Sequence, residues 1–179
     1  KPPAISIAVE GADEVVNAFS SAHNLLEARK NLLESLEKHA SQLAPIFTDL
    51  LADREVDFHG FDFSVAPFPA DHCSLGAAME SLGISSVGKH GSLAAAAFLT
   101  DTLDRGNWLR CGFNGLMLPL LEDSRLSQRS IDQTLSIKDL LMFSAVCGTG
   151  LDTIPIPGST TQEQMEALLL DIAALSARL

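Results

Sequence analysis

The chain has 179 residues, enough to bury roughly 70% of the surface its unfolded form exposes, so a core needs neither disulfides nor a metal. Hydrophobic residues at 46% and charged residues at 20% exclude intrinsic disorder. Twelve basic against 23 acidic side chains, net charge −11, exclude a clustered cationic face for nucleic acid, and the longest apolar run, residues 93–99, is far short of the ~20 needed to cross a bilayer.

Period-2 and period-3.6 apolar patterns then alternate along the chain. Residues 4–9 (AISIAV) read as a strand, and residues 13–19 as a helix. Asn24, with Glu27 three residues on, caps a longer helix whose apolar positions run from Leu25 to Leu43 and which Pro45 ends or kinks. Residues 61–66 (FDFSVA) form the second strand. Helices over residues 74–82 and 92–103 follow, stopped at Gly83 and near Gly106. Residues 112–121 are the third strand, and residues 124–133 and 137–146 the next helix pair, the latter opened by Ser136 with Asp139. Residues 151–156 are a fourth strand weakened by Pro155 and Pro157, and Thr161 with Gln164 caps a last amphipathic helix. Strand followed by helices, four times over, predicts parallel pairing in a single α/β unit over residues 1–179.

Parallel strands covered by helices on both sides are apolar on both faces. Here Ile5, Ile7 and Val9 oppose Ser6, Ala8 and Glu10, while Phe61, Phe63 and Val65 oppose Asp62, Ser64 and Ala66. Asn114 in the third strand and Asp152 in the fourth extend the polar set. Burying such carboxylates unpaired would cost several kcal/mol each. The polar face is therefore expected to line the lumen of a wide parallel β/α barrel, of which four strands with paired crossover helices are a segment.

Several constellations carry chemistry, each beside a plainer reading. Glu122 and Asp123 at a strand end are a candidate acid/base pair or ligands for a divalent cation such as Mg²⁺; alternatively Asp123 only caps the helix at Ser124. Cys147, on a loop with Gly148 and Gly150, is a candidate reactive thiol or a small buried side chain. Ser74 and Thr160, at helix starts, are candidate contacts for a substrate anion or ordinary capping residues. Glu10, Asp62 and Asp152 are candidate substrate-binding residues on the polar face. Cys73, Cys111 and Cys147, odd in number and without zinc-like spacing, point to a reducing compartment, hence the cytoplasm.

The runs FDFSVAPFP (61–69), CSLGAAMESLG (73–83), GSLAAAAFLTDTL (91–103), LPLLED (118–123) and CGTGLDTIPIPG (147–158) resemble an uncharacterised prokaryotic family, domain of unknown function 711. The resemblance extends from the AISIAVEGADEVVNAFSSA opening to the last helix. It implies a fold related to the ten-stranded β/α barrel of glycyl radical enzymes such as pyruvate formate-lyase. It also implies that this chain corresponds to the middle and later part of a longer domain. No segment resembles a glycyl-radical motif, so radical chemistry is not implied. Residues 157–160 read PGST where the family often has PGDT, which removes a carboxylate from that loop.

These readings converge on a cytoplasmic enzyme acting on a small polar or anionic metabolite in a barrel lumen, its reaction unknown. The alternative is a non-catalytic metabolite-binding or regulatory module on the same scaffold. A small-molecule ligand and a homo-oligomer are expected, and neither nucleic acid nor membrane.

Overall fold

The computed structural model describes residues 2–178. In chain order it contains β1 (Ala4–Ala8), α1 (Ala12–Ser20), α2 (Leu25–Leu51), β2 (Asp57–Asp62), a 3-10 turn (Asp71–Cys73), α3 (Leu75–Ser81), α4 (Ser92–Asp104), α5 (Ser124–Ile131), α6 (Ile137–Cys147) and α7 (Gln162–Ser176). The fold is mixed α/β, with many helices around a small parallel sheet of two strands. β1 pairs with β2 from Ala4 opposite Asp57 to Ala8 opposite Asp62. Val9 N–H donates to the Asp62 carbonyl and Gly11 N–H to that of Ser64, carrying the contact past the strand ends.

A third extended stretch runs along the other edge of β2. Phe61 N–H donates to Leu109 O (2.8 Å), Cys111 N–H to Phe61 O (2.9 Å), Val65 N–H to Gly115 O (2.9 Å) and Met117 N–H to Val65 O (3.0 Å). Leu116 in turn bridges Gly148 in parallel. The four stretches therefore neighbour one another in chain order, but only the first two form regular strands.

The expected strand over residues 112–121 is corrected to two short contacts on either side of a loop. Gly112 (φ +78°) and Asn114 (φ +51°) leave the extended region and curl residues 111–115 away from the ladder. The expected strand over residues 151–156 is likewise absent; the chain meets the sheet at Gly148, and Pro155 and Pro157 have no N–H to give a ladder.

Local signals in the sequence set the helix starts. The Asn24 side chain accepts from Glu27 N–H, and capping boxes open α6 at Ser136–Asp139 and α7 at Thr161–Gln164. Pro45, expected to end or kink α2, lies inside it, and the helix continues to Leu51. Tertiary packing offsets the missing hydrogen bond: Phe47, one half-turn beyond, stacks on Phe58 and meets Phe61 edge-on.

The core gathers Phe61, Phe63 and Val65 from the apolar face of the second stretch with Val15 and Phe19 of α1, Leu32 and Leu36 of α2, and Leu99 and Leu103 of α4. Phe58, Phe61, Phe63 and Trp108 form a continuous column of ring contacts, with centroids 5.2–5.4 Å apart. No helix among the described residues is long and apolar enough to cross a membrane.

Glu80 of α3 ties three elements together. Its carboxylate accepts from Arg129 Nε (2.7 Å) and Nη2 (3.0 Å), from Arg125 Nη1 (3.3 Å) and from Val87 N–H (2.9 Å). Burial pushes its pKa up, but the Arg129 and Val87 hydrogen bonds and the two guanidinium charges outweigh that and hold it below the ordinary value. A carboxylate with a lowered folded pKa stabilises the fold above its unfolded pKa, about 4.3, and loses that contribution as pH falls through the folded value. Urea unfolding should therefore show stability falling between pH 5 and pH 3, with a shallower fall in Glu80→Gln. Parallel slopes would remove Glu80 from the account.

Candidate functional site

Alternation along β1, β2 and the extended residues that continue them sends Phe61, Phe63 and Val65 into the core and turns Ala8, Glu10, Asp62, Ser64 and Ala66 to the opposite face. There, with Val9 and Met117, they line an open pocket of about 440 Å³, within the size range of small-molecule sites. Glu10 and Asp62, assigned to binding from the sequence, are brought together here. Ile5 and Val9, on the face expected to be sealed, are each more than a third exposed, because β1 has no second neighbour among the described residues.

Asp62 carries the densest chemistry of this face. Its Oδ1 accepts from Ser64 Oγ (2.5 Å) and Asn114 N–H (2.8 Å), and its Oδ2 from Phe113 N–H (2.8 Å). Partial burial pushes its pKa up; the Ser64 hydroxyl and the N–H groups of Phe113, Asn114 and Ser64 outweigh this and hold the pKa below that of an ordinary aspartate. Glu10 is exposed and makes no side-chain hydrogen bond among the described residues, so its carboxylate is available to a ligand.

Asn114, expected on the polar strand face, is buried in the loop instead. Its Oδ1 accepts from Phe63 N–H (3.0 Å) and Trp108 Nε1 (2.9 Å), and its Nδ2 donates to Cys111 O (2.8 Å). Farther down the face, Ser6 of β1 is in register with Gly60 of β2, which has no side chain, and Ser6 Oγ lies 3.2 Å from Cys111 Sγ.

The other predicted residues lie elsewhere. Asp123 is fully buried and caps α5: Oδ1 accepts from Arg125 N–H (2.9 Å), Leu126 N–H (3.0 Å) and Ser74 Oγ (2.6 Å), and Oδ2 from Gly76 N–H (3.1 Å). Ser74 caps α3 by accepting from Ala77 N–H. The geometry thus gives Ser74 and Asp123 one shared structural task at two helix N-termini. Glu122 beside them is exposed, and neither it nor Asp123 lines the 440 Å³ pocket. Among the described residues, no three His, Cys, Asp or Glu side chains converge as a metal-binding group.

Cys147 is buried, with Sγ 3.4 Å from Thr149 Oγ1 and 3.5 Å from Gly150 O; it and Asp152 border a small separate void. Thr160 Oγ donates to Pro157 O (2.6 Å) in the turn before α7. Neither joins the polar pocket.

In the sequence Ser64 stands out only as part of a face, and Met117 carries no signal of its own. A further cavity of about 750 Å³ lies where Lys89 and His90 precede α4 and face Asp139, Met142 and Phe143 of α6. Gly88 and Gly91, both at positive φ, bracket those two basic residues, and that spacing was the available signal.

A family model described as "Uncharacterised ACR (DUF711)" matches residues 1–179. Among curated proteins, the chain is 31% identical over 179 residues to a UPF0210 protein of Limosilactobacillus reuteri (96% of this chain, 40% of the relative). It is 30% identical over 180 residues to a UPF0210 protein of Clostridium botulinum (96% and 39%). A UPF0210 protein of Lactobacillus delbrueckii subsp. bulgaricus is 37% identical over 124 residues, 67% of this chain and 28% of the relative. The chain spans about two fifths of the length of the first two relatives.

Proposed function

Since the chain belongs to the Uncharacterised ACR (DUF711) family, whose function is uncharacterised, we propose that it supplies one wall of a small-molecule site within a larger parallel β/α barrel. The observation that carries this reading is the pocket on the polar face, where Glu10, Asp62 and Ser64 converge from two stretches of the sheet. Four parallel stretches in chain order, with no second neighbour of β1 among the described residues, support a sheet continued by further strands.

The pocket's lining narrows the ligand. It contains two carboxylates and a hydroxyl beside Ala8, Val9, Ala66 and Met117, and, among the described residues, no Lys, Arg or His. An anion entering there would meet like charge without a counter-ion, whereas an ammonium or hydroxyl group finds acceptors. The substrate class is therefore a small amine or polyol with a short apolar portion. The protein is an enzyme of the cytoplasm in this reading; three free cysteines support the reducing compartment.

Calorimetric titration with putrescine, ethanolamine, glycerol and citrate tests the pocket. Saturable heat is expected for an amine or the polyol but not for citrate, and Glu10→Gln should weaken amine binding about threefold, the scale of one exposed ion pair. Heat from citrate alone, or from none of the four at millimolar concentration, would end this reading.

A further inference from the structure

Asp62 belongs to two structures at once. It lines the polar pocket, and the same two oxygens hold the loop of residues 111–115 through Phe113 N–H and Asn114 N–H, while Oδ1 also accepts from the neighbouring Ser64 hydroxyl. The loop has few alternatives. Gly112 and Asn114 sit at positive φ, and a Cβ built on Gly112 would come within 2.3 Å of Asp62 Oδ2, so the chain is wrapped directly onto the carboxylate. Asn114 then passes the constraint on: its buried Oδ1 accepts from the indole N–H of Trp108, the single tryptophan of the sequence.

From this shared carboxylate we infer that Asp62 is a switch coupling the state of the polar pocket to the conformation of residues 111–115 and the environment of Trp108. A bound cation that draws the carboxylate toward the pocket, or a proton that neutralises it, weakens charge-assisted bonds that a neutral carboxyl cannot replace, because its O–H is itself a donor. The loop then loosens. Phe113, whose ring lies against Gly115 and Gly148, and Cys111, in contact with Ser6, move with it.

Few charged groups surround this switch. Glu10 stands on the pocket side, in the connection between β1 and α1. Behind the loop, the Arg110 guanidinium stacks over Trp108, donates to Leu103 O and Asn114 O, and reaches Asp104 at 4.0 Å. Arg110 holds the loop independently of Asp62, so release of the carboxylate loosens the segment without expelling it. The lowered pKa of Asp62 puts its protonation below that of an ordinary aspartate, so at neutral pH the trigger is a ligand rather than a proton.

The identity of the trigger rests on reading the pocket as a ligand site; the latch itself does not, and it is tested without ligand. In Asp62→Asn at pH 7, Trp108 emission should shift to the red while far-UV circular dichroism stays native. Iodoacetamide labelling of Cys111, followed by peptide mass spectrometry, should rise about tenfold, the scale of losing one charge-assisted hydrogen bond. Wild-type emission with wild-type labelling would overturn the switch.

If Asp62→Asn does not fold, the wild-type chain decides by acid titration. The Trp108 change must precede loss of circular dichroism, and in Ser64→Ala its midpoint must move to higher pH. Coincident transitions, or an unmoved midpoint, would refute the inference. A positive latch result with no heat from any calorimetric probe would leave Asp62 as the tie of this loop and overturn its coupling to the pocket.

Discussion

Replacing Asp123 by alanine should destabilise the protein by about 4 kcal/mol, one of the two largest effects expected of a single substitution here. The carboxylate is buried and accepts from four donors on two helices: Arg125 and Leu126 N–H at the start of α5, and Ser74 Oγ and Gly76 N–H at the start of α3. Alanine leaves all four without an acceptor, and the cost of orphaned buried donors exceeds the net worth of the bonds themselves. For a chain of this size the loss corresponds to a fall in Tm of about 8–16 °C.

Asparagine is the informative companion. It keeps Oδ1 and remains a good N-cap, but it turns an amide N–H₂ toward one existing donor, so about half the loss should remain. Chemical denaturation of the three proteins gives the order directly. An Asp123→Asn protein as stable as wild type, yet unable to bind a ligand or metal, would instead return this residue to a functional role.

The second large effect is expected at Gly60. Its φ of +112° is unfavourable for any side chain, and a Cβ there would lie 2.2 Å from the Leu109 carbonyl oxygen and 2.7 Å from its carbon. That carbonyl accepts the Phe61 N–H, so the obstacle is backbone already committed to the sheet. Gly60→Ala should force residues 109–111 off β2 and cost about 4 kcal/mol or prevent folding altogether. Gly83→Ala separates strain from collision: its φ is +97°, but nothing lies within 4 Å of the added methyl. It should lose only about 1–2 kcal/mol. Equal losses at the two positions would show that torsional strain alone explains Gly60.

Much of the helical architecture was legible because its signals are local. Asn24, Ser136 with Asp139, and Thr161 with Gln164 each act within four residues, and all three cap the helices their spacing predicts. The facing of β2 was legible for the same reason, since alternation alone sends Phe61, Phe63 and Val65 one way and Asp62 and Ser64 the other. Pro45 does not end α2, because Phe47, just beyond it, stacks on Phe58 of β2, distant along the chain but adjacent in space.

What depends on distant neighbours was less legible. Residues 112–121 have strand-like composition, yet Asn114 takes a left-handed conformation because its side chain is claimed by Phe63 and Trp108 and its N–H by Asp62. No spacing rule joins position 114 to position 62. In the same way Asp123 was readable as a cap of α5, but not as the acceptor for Ser74 and Gly76 nearly fifty residues earlier. Glu10 and Asp62 came together because two paired strands carry them; Asp152 did not, because the stretch after Gly148 departs from the sheet.

The last helix has a consequence of its own. α7 has a complete capping box and an apolar stripe, yet no residue on it is buried. Local hydrogen bonds therefore dictate where the coil winds and how far it runs, while little anchors it against thermal fluctuation. A fifteen-residue helix of this kind is expected to open at a lower free-energy cost than the core, so its order in solution would report on whatever leans against it.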